Sequence, residues 1–222
     1  MLTMGNAERT EPVLLVGALG ANGPEMVGTW SMAADRNSAV SIKDGLERAG
    51  KNCDYIAVCA PGAKIDEAEL ERAKAHPAKI VIAAVGDEVL SGEGAALSNL
   101  DLSGEQNRMI RELKAAGKTV VTVLINGRPM SVGEAAANSD ALLELWNAGS
   151  EAGNACADLV FGKANPGGRL AATFPNTSGE CPIYYNHPAT GRPASETLYS
   201  ARFADSPVEP LFPFGFGLCY TE

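Results

Sequence analysis

Metal chemistry has little to build on in this sequence. It has two histidines, His76 and His187, which lie far apart in unrelated contexts. Its five cysteines (Cys53, Cys59, Cys156, Cys181 and Cys219) are odd in number and scattered, with no C-x-x-C or Cys/His spacing. They read as buried or incidental thiols, and neither a metal nor a cofactor is expected. Basic residues are also scarce. Eighteen Lys and Arg face 27 Asp and Glu, giving a net charge of −9. Nucleic acid and anionic membranes both reward basic patches, so neither is expected as a partner. No apolar run approaches the roughly 20 residues that span a bilayer. The apolar stretch Val13–Leu19 follows Glu8 and Glu11, where a signal peptide would carry basic residues, and is expected to be a buried first strand. Internal repeats and low-complexity segments are lacking as well.

What is present is a regular alternation. Pro12–Leu19, Asp54–Ala60, Lys79–Gly86, Thr119–Ile125 and Ala141–Trp146 are short runs rich in Val, Ile and Leu, several of them apolar on both faces. Such runs suit strands buried in a parallel sheet. Helical patterns lie between them. Asp66–Ala75 carries acids early and bases late, matching the helix dipole. Ser103–Ala116 has a capping-box pair in Ser103 and Gln106, an apolar face of Met109, Ile110 and Leu113, and Gly117 to close it. A further helix is expected over Ser150–Val160. The fold class predicted is α/β: a doubly wound, mostly parallel sheet of five or six strands with helices on both faces.

The C-terminal part differs. Prolines from Pro166 to Pro213 interrupt any long element, and aromatics concentrate there, among them Phe174, Tyr184, Tyr185, Tyr199, Phe203, Phe212, Phe214, Phe216 and Tyr220. Disordered tails are poor in aromatics, so this stretch is expected to pack against the domain or a neighbour. Residues 1–11 are expected to be poorly ordered. Residues 12–222 are expected to form one domain, with the irregular tail 176–222 wrapping its outside.

Two loops are candidates for chemistry. Gly17, Gly20 and Gly23 have the spacing G-x-x-G-x-x-G, not the dinucleotide fingerprint, and Pro24–Trp30 reads as loop rather than the helix that would receive a phosphate. Turn glycines are the expected reading. The loop after the third strand, Asp87–Asn99, is long for a strand-to-helix connection and leaves the carboxyl end of the sheet, where open α/β sheets present functional groups. Glu93 sits in it between two glycines. On the residues alone, a solvated loop acid and a functional carboxyl both fit, the former being the more ordinary. Arg128, in Asn126-Gly127-Arg128-Pro129, is expected to pair inside the domain. Trp146 is expected in the core, and Trp30 is divided between packing and stacking on a sugar.

Six segments carry a resemblance. They are GTWS (Gly28–Ser31), SGEGAALSNLDLSGEQ (Ser91–Gln106), TVVTVLINGRP (Thr119–Pro129), LLELWNAGSEAGNACADLVFGKANPGGRLAATFP (Leu142–Pro175), PIYYNHPATGRP (Pro182–Pro193) and PLFPFGFGLCYT (Pro210–Thr221). In order and spacing they resemble the second, C-terminal α/β sandwich domain of family 3 β-glucosidases, especially the periplasmic bacterial type. The chain departs from the usual family pattern at Ala96-Leu97 (Ser-Arg is usual), at Leu102-Ser103 and Leu170-Ala171 (Leu-Pro), and at Cys219-Tyr220-Thr221 (Ser-Tyr-Thr).

The resemblance implies that Glu93 is the general acid/base of a retaining β-glucosidase, with Trp30, Ser91 and Gly92 near the substrate. A retaining enzyme needs a second carboxylate about 5–5.5 Å away as nucleophile. In family 3 that aspartate sits on a (β/α)₈ barrel, which takes about 250 residues and has no room here. The barrel is therefore expected to be absent from this chain, and the chain to be inactive alone. A carbohydrate and a family 3 barrel, on a domain or subunit, are the expected partners, with self-association as the other way to cover the surface a barrel would occupy. Alternatives are a non-catalytic module binding carbohydrate or protein, and an effector-binding flavodoxin-like domain suggested by fold alone.

Overall fold

The computed structural model describes residues 11–50, 52–88, 96–188, 191–197 and 199–221. Among these residues five strands form one sheet: β1 (Val13–Val16), β2 (Cys53–Ile56), β3 (Ile80–Gly86), β4 (Thr119–Ile125) and β5 (Ala141–Glu144). Their order is β2-β1-β3-β4-β5, and every pairing is parallel. The helices are α1 (Ile42–Arg48), α2 (Glu67–Ala75), α3 (Gln106–Ala115), α4 (Gly133–Ala137) and α5 (Ala152–Val160).

The two faces are set by side-chain alternation. On β3, Val81, Ala83 and Val85 enter one core with Leu70 and Ala73 of α2, Met109, Ile110 and Leu113 of α3, and Ala135 of α4. Ile80, Ile82 and Ala84 enter the other, with Ile42 and Leu46 of α1 and Ala152, Cys156 and Val160 of α5. All seven β3 residues are buried, as a strand covered by helices on both faces must be. The expected doubly wound sheet is what the chain forms.

Strands β1, β2 and β5 stop short of the carboxyl ends of their apolar runs, whereas β3 and β4 run to theirs. Gly17 has φ 93, Val58 φ 35, Gly86 φ 151 and Trp146 φ 56, so the backbone leaves extended geometry at the close of β1, β3 and β5 and just after β2. The segment expected as loop from Pro24 instead contains a short 3₁₀ helix, Gly23–Val27, begun by Pro24 near its first position.

Caps differ from expectation at α3. The helix starts at Gln106, not Ser103, and the Ser103–Gln106 capping box does not form. Ser103 Oγ accepts from Gly62 N–H at 2.9 Å. The Gln106 amide turns instead to the end of β3, accepting from Gly86 N–H and donating to Gly86 O, both at 2.9 Å. A complete capping box occurs at α1, between Ser41 and Asp44. The expected C-cap holds, with Gly117 at φ 82 and its N–H donating to Lys114 O at 3.0 Å.

The C-terminal tail returns along the domain. Phe174 and Phe212 form an antiparallel bridge, and Leu170 N–H donates to Phe216 O at 2.9 Å. Phe174 is 1% exposed, with Trp146 and Phe212 against it edge-on at centroid distances of 5.7 and 6.3 Å.

Helices α1 and α5 approach closely enough to exclude side chains. A Cβ on Gly45 would lie 2.1 Å from Gly153 O, and one on Gly153 would lie 1.9 Å from Ser41 O. Gly45→Ala must therefore push two backbones apart. It is expected to lower stability by about 1–3 kcal/mol or more, seen as an earlier urea midpoint with an unchanged slope.

Candidate functional site

Because the sheet interior is apolar on both faces, polar chemistry gathers where the strands end. At the carboxyl edge β3 is followed by Asp87, β4 by Asn126-Gly127-Arg128, and β5 by Leu145-Trp146-Asn147. Asp87 extends the β3–β4 ladder by one step, its N–H donating to Ile125 O at 3.1 Å. Its carboxylate is 1% exposed and accepts from Arg128 Nε at 2.7 Å, while Oδ1 is buried with no hydrogen-bond partner among the described residues. Burying a carboxylate is costly unless it is paired, and Arg128 provides the pair.

Arg128 also does more than pair. Nη1 donates to Leu97 O at 2.7 Å and Nη2 to Asn99 O at 2.9 Å. One guanidinium thus holds the residue that opens the long loop and two carbonyls of the limb that closes it. The five donors of an arginine fork make this possible where an ammonium would not. The expected internal pairing of Arg128 is present, and its bond to Leu97 O falls in the stretch where the usual family pattern has its own arginine.

A second, half-buried acid stands at the end of β5. Glu144 Oε1 accepts from Trp146 N–H at 2.8 Å, and Oε2 lies 3.5 Å from Asn126 Nδ2. Asn126 directs that amide mainly to Arg128 O, at 2.7 Å. Burial pushes the Glu144 carboxyl up to about 8, against the smaller opposing pull of those two donors. This favours the protonated form of Glu144 well above the usual carboxylate range.

Trp30 is on the same edge. A Cβ on Gly28 would fall 2.8 Å from the Asn147 side chain, so the turn before Trp30 lies directly against the segment after β5. Ser31 Oγ donates to Gly28 O at 2.8 Å, and the indole is 78% exposed. Trp146, expected in the core, is half-buried and packs on it through Phe174. Ser91, Gly92 and Glu93 lie outside the described residues. Glu88 and Ala96 to Asn99, on either side, are exposed.

Other groups separate from this edge or serve packing. Gly17 and Gly23 are glycines because a Cβ would meet Ala84 O at 2.2 Å and Ala39 O at 2.4 Å, which answers the phosphate-cradle alternative with a packing reason. A polar cleft of about 700 Å³ opens beside the first turn of α3, but Arg108 and Arg111 in it are already paired with Glu67 and Glu134. Among the described residues no group of three His, Cys, Asp or Glu could hold a metal ion, and no helix is long and apolar enough to cross a membrane. Sequence reasoning missed Glu144, and it read Gln106 as a capping residue rather than as the partner of Gly86. An acid amid leucines in Leu142-Leu143-Glu144-Leu145 was the available signal for the first.

The sequence matches the Glycosyl hydrolase family 3 C-terminal domain over residues 6–220. The chain belongs to that family. Among its relatives, the periplasmic β-glucosidase of Salmonella typhimurium is 34% identical, over 96% of this chain and 32% of that protein. A β-xylosidase of Formosa agariphila is 36% identical over 82% of this chain and 25% of its own length. The crystal structure of a β-glucosidase from Listeria innocua in complex with isofagomine superposes with a TM-score of 0.92 at 34% identity, covering all of this chain and 31% of that one. The family 3 domain thus spans a quarter to a third of the length of these relatives.

For Glu144, a folded pKa above the unfolded value means that its contribution to stability is full below about pH 4.5. It is lost as pH rises through about 8. Glu144→Gln is expected to flatten the decline in unfolding free energy between those limits. A wild-type curve that stays level across this range, matching the variant, would show that Glu144 is ionised in the native protein.

Proposed function

We propose that this chain is the part of a retaining glycoside hydrolase that delivers the general acid/base carboxyl, Glu93, to a terminal β-linked glucosyl or related residue. The observation that carries the reading is the setting of the loop. A family 3 domain places a long connection at the carboxyl end of its central strand and spends a half-buried arginine on holding both ends of it. In the first step Glu93 gives a proton to the leaving-group oxygen, and in the second it takes one from the attacking water. The nucleophile comes from a barrel domain outside these 222 residues. Trp30, Ser91 and Gly92 border the sugar on this side, with the exposed indole of Trp30 as a stacking face.

Asp87 is unsuited to replace the missing nucleophile, because its carboxylate is buried and held by Arg128. The chain alone is therefore expected to hydrolyse no aryl β-glucoside above background. Supplying a family 3 barrel domain in trans should produce turnover that Glu93→Gln reduces by about 10²–10⁴-fold. Turnover by the chain alone, abolished by Glu93→Gln, would overturn this and direct attention to Glu88 or Asp101 as nucleophile.

Exposed aromatics support a second reading as a non-catalytic module that binds carbohydrate or protein. Trp30, Tyr185 and Tyr199 are 78%, 71% and 82% exposed. Such surface commonly finds a cover, so the chain is expected to self-associate or to bind the barrel through it. Light scattering at high concentration that shows a clean monomer, with the barrel present as well as absent, would count against both forms of cover.

A further inference from the structure

We propose that Arg128 is a positioning residue for the acid/base step, setting the reach of Glu93 by fixing the two ends of its loop to the sheet; this rests on the reading of Glu93 above. The argument is geometric. Every guanidinium nitrogen of Arg128 is committed: Nε to Asp87 at the opening of the loop, Nη1 to Leu97 O and Nη2 to Asn99 O at its close. The arginine itself is held. Its carbonyl accepts from Asn126 Nδ2 at 2.7 Å, and Met130, two residues on, is fully buried. Asp87 is equally fixed, one step beyond Gly86, whose backbone N–H and O are both bound by Gln106. The loop ends are therefore referred to the ends of β3 and β4, the two longest strands of the sheet.

Arg128 lies outside the loop it holds, and its three contacts are all structural, so its effect on the reaction passes through Glu93. Acid catalysis depends on a hydrogen-bond distance to the leaving-group oxygen, and a misplacement of about 1 Å costs about 10²-fold. The effect should appear where a proton is needed and vanish where it is not. Methyl β-glucoside needs a proton on its leaving oxygen for the glycosidic bond to break, whereas 2,4-dinitrophenolate departs as the anion without one. The ratio of kcat/KM on the two substrates isolates this step, because both go through the same glycosyl-enzyme.

The test uses the chain assembled with a family 3 barrel domain. Arg128→Ala is expected to lower kcat/KM on methyl β-glucoside by about 10²-fold, and on the dinitrophenyl substrate by no more than about threefold. Arg128→Lys keeps the charge beside Asp87 but loses the fork to Leu97 and Asn99, and should fall between. If Arg128→Ala fails to fold by circular dichroism, the Arg128→Lys ratio decides. Equal losses on both substrates, or no loss on either, would overturn the proposal. Glu93→Gln separates it from the reading beneath it. If Glu93→Gln shows the leaving-group pattern and the Arg128 variants do not, the positioning role alone fails. If Glu93→Gln changes neither rate, or the wild-type assembly turns over neither substrate, both fail together.

Discussion

Strands β3 and β4 are apolar on both faces, and that constraint organises the molecule. A strand walled in by helices offers little side chain to water along its length, so on β3 and β4 the polar groups other than Thr119 and the buried Thr122 come at or beyond the strand ends. At the carboxyl rim these are Asp87, Asn126, Arg128, Glu144 and, against the segment after β5, Trp30. The positive φ values of Gly86 and Trp146 mark where the chain bends out of the sheet to do this. Backbone, not side-chain, geometry therefore decides where chemistry can occur.

Two acids on that rim are handled in opposite ways. Asp87 has a guanidinium within hydrogen-bond reach, whereas Glu144 has the Trp146 N–H and the Asn126 amide beside it and its carboxyl is pushed up by burial. The first arrangement sets a carboxylate against a cation. The second leaves a carboxyl whose one strong hydrogen bond is to a backbone N–H.

The fold was legible because it rests on apolar periodicity, which is local. The runs at Lys79–Gly86 and Thr119–Ile125 locate β3 and β4 almost to the residue. Caps were less legible, since Ser103 and Gln106 satisfy a capping pattern in sequence yet find better partners in Gly62 and Gly86, across the fold. The reverse happened at Ser41 and Asp44, a capping box preceding a helix too short to announce itself. In the site, the resemblance pointed to Glu93 and the residues alone to an internal role for Arg128. That one arginine holds both limbs of the loop depends on where Leu97 and Asn99 come to rest, which spacing along the chain does not specify. Glu144 was hidden for a similar reason: the upward push on its carboxyl is a property of burial, not of sequence.

The Gln106 side chain behaves as an extra rung on the end of β3, offering Gly86 the donor and acceptor a neighbouring strand would have supplied. The segment from Asp87 to Glu105 is thereby closed on itself at its base, with α3 and β3 joined directly rather than through it. Closing a longer loop over a fixed base adds only about 0.6 kcal/mol per doubling of length. Chain entropy therefore sets little limit on the length of this connection. What does limit it is the anchoring of its closing limb, where Leu100 bonds Ser131 and Ser178 and Ser103 bonds Gly62.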